Sequence, residues 1–186
     1  MDIGGKPMIQ HVVERVYRIR GVDDVVLAVP CDDWRDFVGL CGHVSGAAGV
    51  AADDVLGRFV NVAGIYPECD TIVRVTGDCP LLDPEIASNV LQLFQRSRAW
   101  YAWNVYPGYI DGTDVEVFRR ECLMRAHVEA TDPEDREHVT SFVRRHYPVV
   151  TLKPTKPGGR KTSVDTLEDL EYVRSIYGKI SGVESC

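Results

Sequence analysis

Arg74-Val75-Thr76-Gly77-Asp78-Cys79-Pro80-Leu81-Leu82-Asp83-Pro84 is the stretch on which the reading of this chain turns. Asp70 to Val75, which leads into it, is rich in β-branched residues (Ile72, Val73, Val75) and predicts a short strand ending near Gly77. Asp78 follows at once, and Pro80 stops the strand because it brings no N–H for a ladder bond. In α/β sheets, ligands gather beyond the carboxyl ends of the strands, where loops present side chains to a crevice. An acid in that place, beside a glycine that lets a ligand near the backbone, suits a Mg²⁺ ion on a nucleotide phosphate. The simpler alternative is that Asp78 caps a turn, which aspartate does readily.

A second acid lies far along the chain in Val164-Asp165-Thr166-Leu167-Glu168-Asp169-Leu170-Glu171. Thr162 to Val164 predicts a short strand. Thr166 with Asp169 three residues on, ahead of Leu167, Leu170, Val173 and Ile176, is a capping-box variant that opens a helix. Asp165 then sits between a strand end and a helix start, the same kind of place as Asp78. Mg²⁺ takes one or two carboxylates and fills its octahedron with water and phosphate oxygens, so the two acids could share one ion. Alternatively, Asp165 only answers the positive end of the helix dipole.

Between these acids the chain alternates. Met8 to Ile19 has apolar residues at helical spacing, and Val25 to Val29 is a continuous apolar run expected of a strand covered on both faces. Helices are expected from Asp32 to Leu40, from Asp54 to about Tyr66, from Pro84 to about Arg96, from Glu121 to Ala130 and from Glu134 to His146, the last opened by Pro133. Further strands are expected near Val50, over Ala99 to Val105 and up to Phe118. Such alternation favours a parallel sheet covered by helices, organised as one domain over 1–180 with a short tail at 181–186.

The chain has 186 residues, 45% of them hydrophobic, enough for one domain with a sizeable core. A net charge of −7 without a long basic run argues against nucleic-acid binding. No apolar stretch is long enough for a membrane span and no signal-peptide core opens the chain, which points to a cytoplasmic protein. The six cysteines show no C-x-x-C spacing and are expected to be reduced thiols. Cys79, beside Asp78, is read as a packing residue, since direct nucleotidyl transfer needs no enzyme thiol.

Five segments appear in a telling order: Asp54-Val55-Leu56-Gly57-Arg58-Phe59, the Gly77–Pro84 run, Asp111-Gly112-Thr113-Asp114-Val115-Glu116-Val117-Phe118, Arg136-Glu137-His138-Val139-Thr140 and Val164–Leu170. Together they resemble the spore-coat polysaccharide cytidylyltransferases, relatives of the CMP-KDO and CMP-acylneuraminate synthetases, from Asp2 to about Lys179. The resemblance implies a Rossmann-like nucleotidyltransferase fold, a mostly parallel sheet flanked by helices, and transfer of CMP from CTP to a sugar acid or sugar phosphate with Mg²⁺ and release of pyrophosphate. It makes Asp78 and Asp165 the catalytic metal-binding pair. It places Asp54, Arg58 and Arg74 at the nucleotide and Asp111, Asp114, Arg136, Glu137 and His138 at the sugar, Arg136 and His138 orienting its acidic group. A homodimer is a further implication.

Each segment also has a plainer explanation. Arg58 could pair with Asp54 one turn back. Asp111 and Asp114 could form a turn, Arg136 to His138 a solvated helix face, and Glu116 could face a cleft or solvent. The aromatic run Trp100, Tyr101, Trp103, Tyr106 and Tyr109 could stack on a ligand, pack in the core or meet a second subunit. Gly158-Gly159-Arg160-Lys161 could be a lid over phosphates or a hairpin turn.

One departure stands out. Members of the family begin with a hydrophobic strand and a basic glycine-containing loop of the type A-R-x-x-S-x-R-L-P-G-K, whereas Met1-Asp2-Ile3-Gly4-Gly5-Lys6-Pro7-Met8 resembles the segment after that loop. By comparison roughly 20 residues are absent, the first strand and the main grip on the triphosphate. The expectation is a truncated chain that binds CTP weakly and, with neighbouring strand edges unpaired, is poorly soluble or swaps strands. Rival readings are a non-catalytic sugar- or protein-binding remnant, or a nucleotidyltransferase for another nucleotide. A glycosyltransferase with a D-x-D metal motif is disfavoured, because Asp111-Gly112-Thr113-Asp114 has one residue too many.

Overall fold

The computed structural model describes residues 1–40, 43–47, 49–105, 108–154 and 158–183. Strand β5 (Thr71–Arg74) anchors a four-stranded sheet with β6 (Tyr101–Trp103), β7 (Glu116–Arg119) and β8 (Val149–Thr151), in the order β5-β7-β6-β8. β7 alone runs against its neighbours; β6 and β8 are parallel, and β5 shares their direction. The carboxyl ends of β5, β6 and β8 and the amino end of β7 therefore lie on one edge. That edge carries Arg74, Trp103, Thr151 and Glu116, with Arg74 and Trp103 both in register with Glu116.

Two short pairs complete the strands. β3 (Val26–Pro30) lies parallel to β4 (His43–Ala47), and β1 (Asp2–Ile3) is antiparallel to β2 (Lys6–Pro7). Among the described residues no ladder joins β3 to β5, so each is an edge strand, and β5 and most of β3 are half-buried rather than buried.

Helices cover both faces of the large sheet. Helix α1 (Met8–Val16) buries Val12, Val13 and Val16, and α4 (Pro84–Ser97) buries Ala87, Val90, Leu91 and Phe94, each a stripe at three- and four-residue spacing. These two pack with Leu82 against Ala102 and Val117. Burial of each such Val or Leu contributes about 1.5–3 kcal/mol relative to exposure. α4 starts with Pro84 at its first position and Asp83 capping the amides of Glu85 and Ile86. It ends at Arg98 in the left-handed region, φ 52°.

On the opposite face, α3 (Val55–Ile65), α5 (Arg120–Glu129) and α7 (Ser141–His146) pack Leu56, Leu123, Phe142 and Val143 against Tyr101 and Phe118. Short α6 (Pro133–His138) precedes α7, and a single turn, α2 (Trp34–Phe37), lies between β3 and β4. The last helix, α8 (Leu167–Val183), rests Leu170 and Val173 on Ile3.

Several local expectations change. The continuous helix from Glu134 to His146 is broken at Val139, φ 56°, which separates α6 from α7. The strand expected near Val50 lies earlier, at His43–Ala47, where the backbone pairs in parallel with β3 from Val26 opposite His43 to Pro30 opposite Ala47. The helix expected over Asp32 to Leu40 shrinks to one turn, ended by Val38 in extended conformation. No helix among the described residues is long and apolar enough to cross a membrane.

Candidate active site at the carboxyl edge of the sheet

The loop after β5 and the segment before α8 meet directly. The amide of Val164 donates to the carbonyl oxygen of Asp78 at 2.9 Å, which sets Asp78 beside Asp165 although 87 residues separate them (165 − 78). The segment 162–164 forms no strand; its amides instead bond outward, that of Thr162 to the carbonyl of Asp111 at 2.7 Å. Ser163 Oγ adds a bond to Asp111 Oδ1 at 3.0 Å.

The loop 111–114 is clamped from its other side by Asn104. This fully buried side chain donates to the carbonyl of Thr113 at 2.8 Å and accepts from the amide of Val115 at 2.7 Å. Gly112 makes the approach possible: at φ 102°, a Cβ there would lie 2.3 Å from the nitrogen of Ser163. Asp78, Asp111, Asp114 and Asp165 thus come from three segments to one place. Burial, then the neighbouring charge of Asp111 and those of Glu116 and Asp78, push the Asp114 carboxyl up to about 6 against a bond from the Gly112 backbone.

Asp165 is exposed and ion-paired to Lys161, whose ammonium also lies 3.5 Å from Asp169. Asp169 and Thr166 complete the expected capping box: Thr166 donates its amide to Asp169 Oδ2 at 3.0 Å, and the Asp169 amide reaches Thr166 Oγ1 at 3.2 Å. Arg160 pairs with Glu168 at 3.0 Å and lies over the Tyr172 ring. The basic 160–161 segment is therefore laid on the start of α8.

No cluster of three or more His, Cys, Asp or Glu among the described residues is arranged to hold a metal. Asp78 and Asp165, on segments joined by the Val164–Asp78 backbone bond, supply hard carboxylate oxygens of the kind of which Mg²⁺ takes one or two from protein. Cys79, 2% exposed, is no nucleophile here, because burial pushes its thiol far up.

A second polar group sits on the same edge, on the face of α3 and α7. Glu116 is 4% exposed and accepts from Tyr101 Oη, Thr140 Oγ1 and Arg74 Nη1, with Arg144 Nη1 3.7 Å away. Sequence reasoning left Glu116 between cleft and solvent and Tyr101 between ligand stacking, core and subunit contact, and did not single out Arg144. The available signal was a lone acid between Val115 and Val117, which a buried strand tolerates only with cationic partners. Tyr101 and Trp103 of the aromatic run belong to this core; Tyr106 lies outside the described residues.

Other expected site residues have different partners. Asp54 caps α3 through the amide of Gly57 at 2.9 Å and pairs with Arg136 Nη2 at 2.6 Å. Arg136 spends its remaining reach on the carbonyl of His127 at 3.2 Å. In this structure Asp54 and Arg136 are each other's ion-pair partner. Arg58 does not pair with Asp54 but donates to the carbonyl of Ala52. Glu137 and His138 are exposed at the end of α6.

A family model for cytidylyltransferases matches residues 1–166. The chain belongs to the cytidylyltransferase family. A solved cytidylyltransferase from Leptospira borgpetersenii superposes with a TM-score of 0.86 at 24% identity, covering 96% of this chain and 79% of that one, which establishes the nucleotidyltransferase fold. An uncharacterized protein of Methanocaldococcus jannaschii is 27% identical over 179 residues, 92% of this chain and 72% of its own length. An 8-amino-3,8-dideoxy-manno-octulosonate cytidylyltransferase of Shewanella baltica is 30% identical over 164 residues, 86% of this chain and 60% of that protein. Across the first of its curated relatives the chain spans 39–72% of their length.

Proposed function

We propose that this member of the cytidylyltransferase family serves the transfer of CMP from CTP to a sugar acid, with release of pyrophosphate, in the synthesis of a surface glycan. The observation that carries the reading is the bond from Val164 to Asp78, which brings together two acids at the carboxyl edge of an α/β sheet. The name of the Shewanella relative, an octulosonate cytidylyltransferase, supports an eight-carbon 2-keto sugar acid as acceptor.

Asp78 and Asp165 are the residues that would hold Mg²⁺. When bound, the ion neutralises charge on the triphosphate and favours in-line displacement at the α-phosphorus. Release of Asp165 from Lys161 frees that carboxylate for the ion and leaves a mobile ammonium beside the phosphates. Asp111 and Asn104 keep the loop 111–114 against the segment that carries Asp165, and the Val164 amide ties that segment to Asp78.

The test is release of pyrophosphate from CTP in the presence of 3-deoxy-manno-octulosonate and its 8-amino analogue. It is run with this chain and with the full open reading frame that encodes it. Acceptor-dependent release from CTP, and not from UTP, GTP or ATP, is the expected result. Release independent of acceptor, or none in either form, would reject the reading.

A further inference from the structure

The loop from Thr76 to Asp83, which carries Asp78 from the end of β5 to the cap of α4, is held from outside at alternate carbonyls. The carbonyl of Asp78 accepts from the Val164 amide at 2.9 Å, that of Pro80 from Tyr177 Oη at 2.7 Å, and that of Leu82 from Arg15 Nη1 at 3.0 Å. The loop's own backbone bonds are longer. The Cys79 amide reaches the Thr76 carbonyl at 3.4 Å, and the Leu82 amide the Cys79 carbonyl at 3.1 Å. The loop's shape therefore depends on side chains of α1 and α8, 67 and 97 residues away along the chain.

Those side chains form one unit. His11 and Arg15 stand four apart on α1 and so share a face. The Tyr177 ring lies against both, its centroid 4.5 Å from that of His11 and 5.9 Å from Arg15 Cζ. Arg15 Nε donates to Tyr177 Oη at 3.3 Å, and that hydroxyl gives its own proton to Pro80. His11 is fixed in turn through Nε2, which bonds to the carbonyl of Ile3 at 2.8 Å. One turn back on α8, Arg174 donates twice to the carbonyl of Asp2, at 2.9 and 2.7 Å, and seats the helix on β1.

The plainer role of these contacts is to dock α8 on α1. Docking alone needs no contact with the loop, yet the hydroxyl and the guanidinium end on carbonyls two and four residues beyond Asp78. Helix α8 also lies beyond residues 1–166, the span of the family model, so membership of the family assigns Tyr177 no part.

We propose that Tyr177, braced by Arg15, is a positioning residue for the metal site: its hydroxyl holds the Pro80 carbonyl and so fixes the backbone that presents Asp78. The inference rests on the reading of Asp78 as a metal ligand. Mg²⁺ tolerates little departure from octahedral geometry, so a ligand on a loose loop holds it poorly. Loss of an outer partner that orients a ligand directly costs about 10–100-fold in metal affinity, and one acting through two residues of backbone should cost about three- to tenfold.

The experiment measures Mn²⁺ binding without CTP, read from the electron paramagnetic resonance of the free ion. It compares wild type, Tyr177→Phe, Arg15→Lys, Arg15→Met, Asp78→Asn and the double variant of Asp78→Asn with Tyr177→Phe. Tyr177→Phe should raise the Mn²⁺ dissociation constant about three- to tenfold. In the Asp78→Asn background the same change should have no further effect, because the hydroxyl acts through Asp78. Arg15→Lys should fall between wild type and Arg15→Met. Tyr177→Phe removes one oxygen and keeps the ring on His11, so it reports even if Arg15→Met does not fold. A hydroxyl that served the fold alone would lower the urea midpoint and leave Mn²⁺ affinity untouched; that result, or an equal loss with and without Asp78, would overturn the proposal. Wild type that binds no Mn²⁺ would reject the metal pair and the proposal with it. Failure of the transfer reading shows separately, as a chain whose Mn²⁺ affinity depends on Tyr177 yet which releases no pyrophosphate from CTP.

Discussion

The backbone amide of Val164 donates to the carbonyl of Asp78 at 2.9 Å, and this one bond sets Asp165 beside Asp78. Neither acid is buried: Asp78 is half-buried and Asp165 exposed, so neither is needed for the core. Asp78→Asn and Asp165→Asn should each lower kcat/KM by about 100-fold or more, the loss expected when charge at a phosphoryl centre goes unneutralised. Their unfolding free energies should stay within about 0.5 kcal/mol of wild type. Pyrophosphate assays and urea titrations on the same preparations check both halves.

Gly112 controls the same junction from the side. A methyl group there meets the backbone of Ser163 and Thr162, and φ 102° strains any L side chain. Gly112→Ala should therefore destabilise the protein by about 1–3 kcal/mol. It should also separate the loop 111–114 from the segment bearing Asp165 and depress activity more than stability. A Gly112→Ala protein with wild-type unfolding and turnover would show that the close approach is not required.

Asp114 sets a pH dependence. Its carboxyl is raised to about 6, first by burial and then by Asp111, Glu116 and Asp78, so the folded state binds this proton more tightly than the unfolded chain. Its stabilising contribution is full below the ordinary aspartate range, near pH 4, and is lost as pH rises through about 6. Asp114→Asn should flatten stability across that window and be more stable than wild type at pH 7. Urea unfolding at pH 4, 5, 6 and 7 measures it.

Asp54 and Arg136 give a prediction of opposite sign. Burial alone would raise Asp54, but bonds from Arg136 and the Gly57 amide prevail and hold it below the usual carboxylate range. Its contribution is therefore present above pH 4 and lost on acidification below that. Asp54→Ala should cost about 1–2 kcal/mol through the lost helix cap. A double-mutant cycle of Asp54→Asn with Arg136→Met should return a coupling of roughly 0.5–1 kcal/mol. KM for the acceptor separates the two roles of Arg136: an unchanged value in Arg136→Met marks a purely structural partner of Asp54, and a large rise places that arginine at the sugar site.

Cys79 offers a control. At 2% exposure with its thiol pushed upward by burial, it should resist iodoacetamide in the native state and react once urea unfolds the chain. Cys79→Ala should keep activity.

What could be read from the residues alone divides along a physical line. The acids after β5 and before α8 were legible because strand-end and helix-start signals are local: β-branched residues, a proline, a capping box. The same holds for the starts of α3 and α4, expected at Asp54 and Pro84, where Asp54 caps the one and Pro84 opens the other. The break at Val139 was not legible, since no glycine or proline marks it and only the pull of Thr140 onto Glu116 accounts for it. Nor were the partners of Arg136 and Arg144, both charges on short helices at similar spacing. One turns to Asp54, the other to Glu116, and the choice depends on which sheet face α6 and α7 meet. The antiparallel course of β7 was hidden for a like reason, because the direction in which the chain returns after β6 is a tertiary matter.

The most direct test of the central claim is pyrophosphate release from CTP with a 2-keto sugar acid, measured for wild type, Asp78→Asn and Asp165→Asn over a titration of Mg²⁺. The account predicts acceptor-dependent release by wild type that rises with Mg²⁺ and collapses in both variants. Turnover that persists in either variant, or that is indifferent to Mg²⁺, would contradict it.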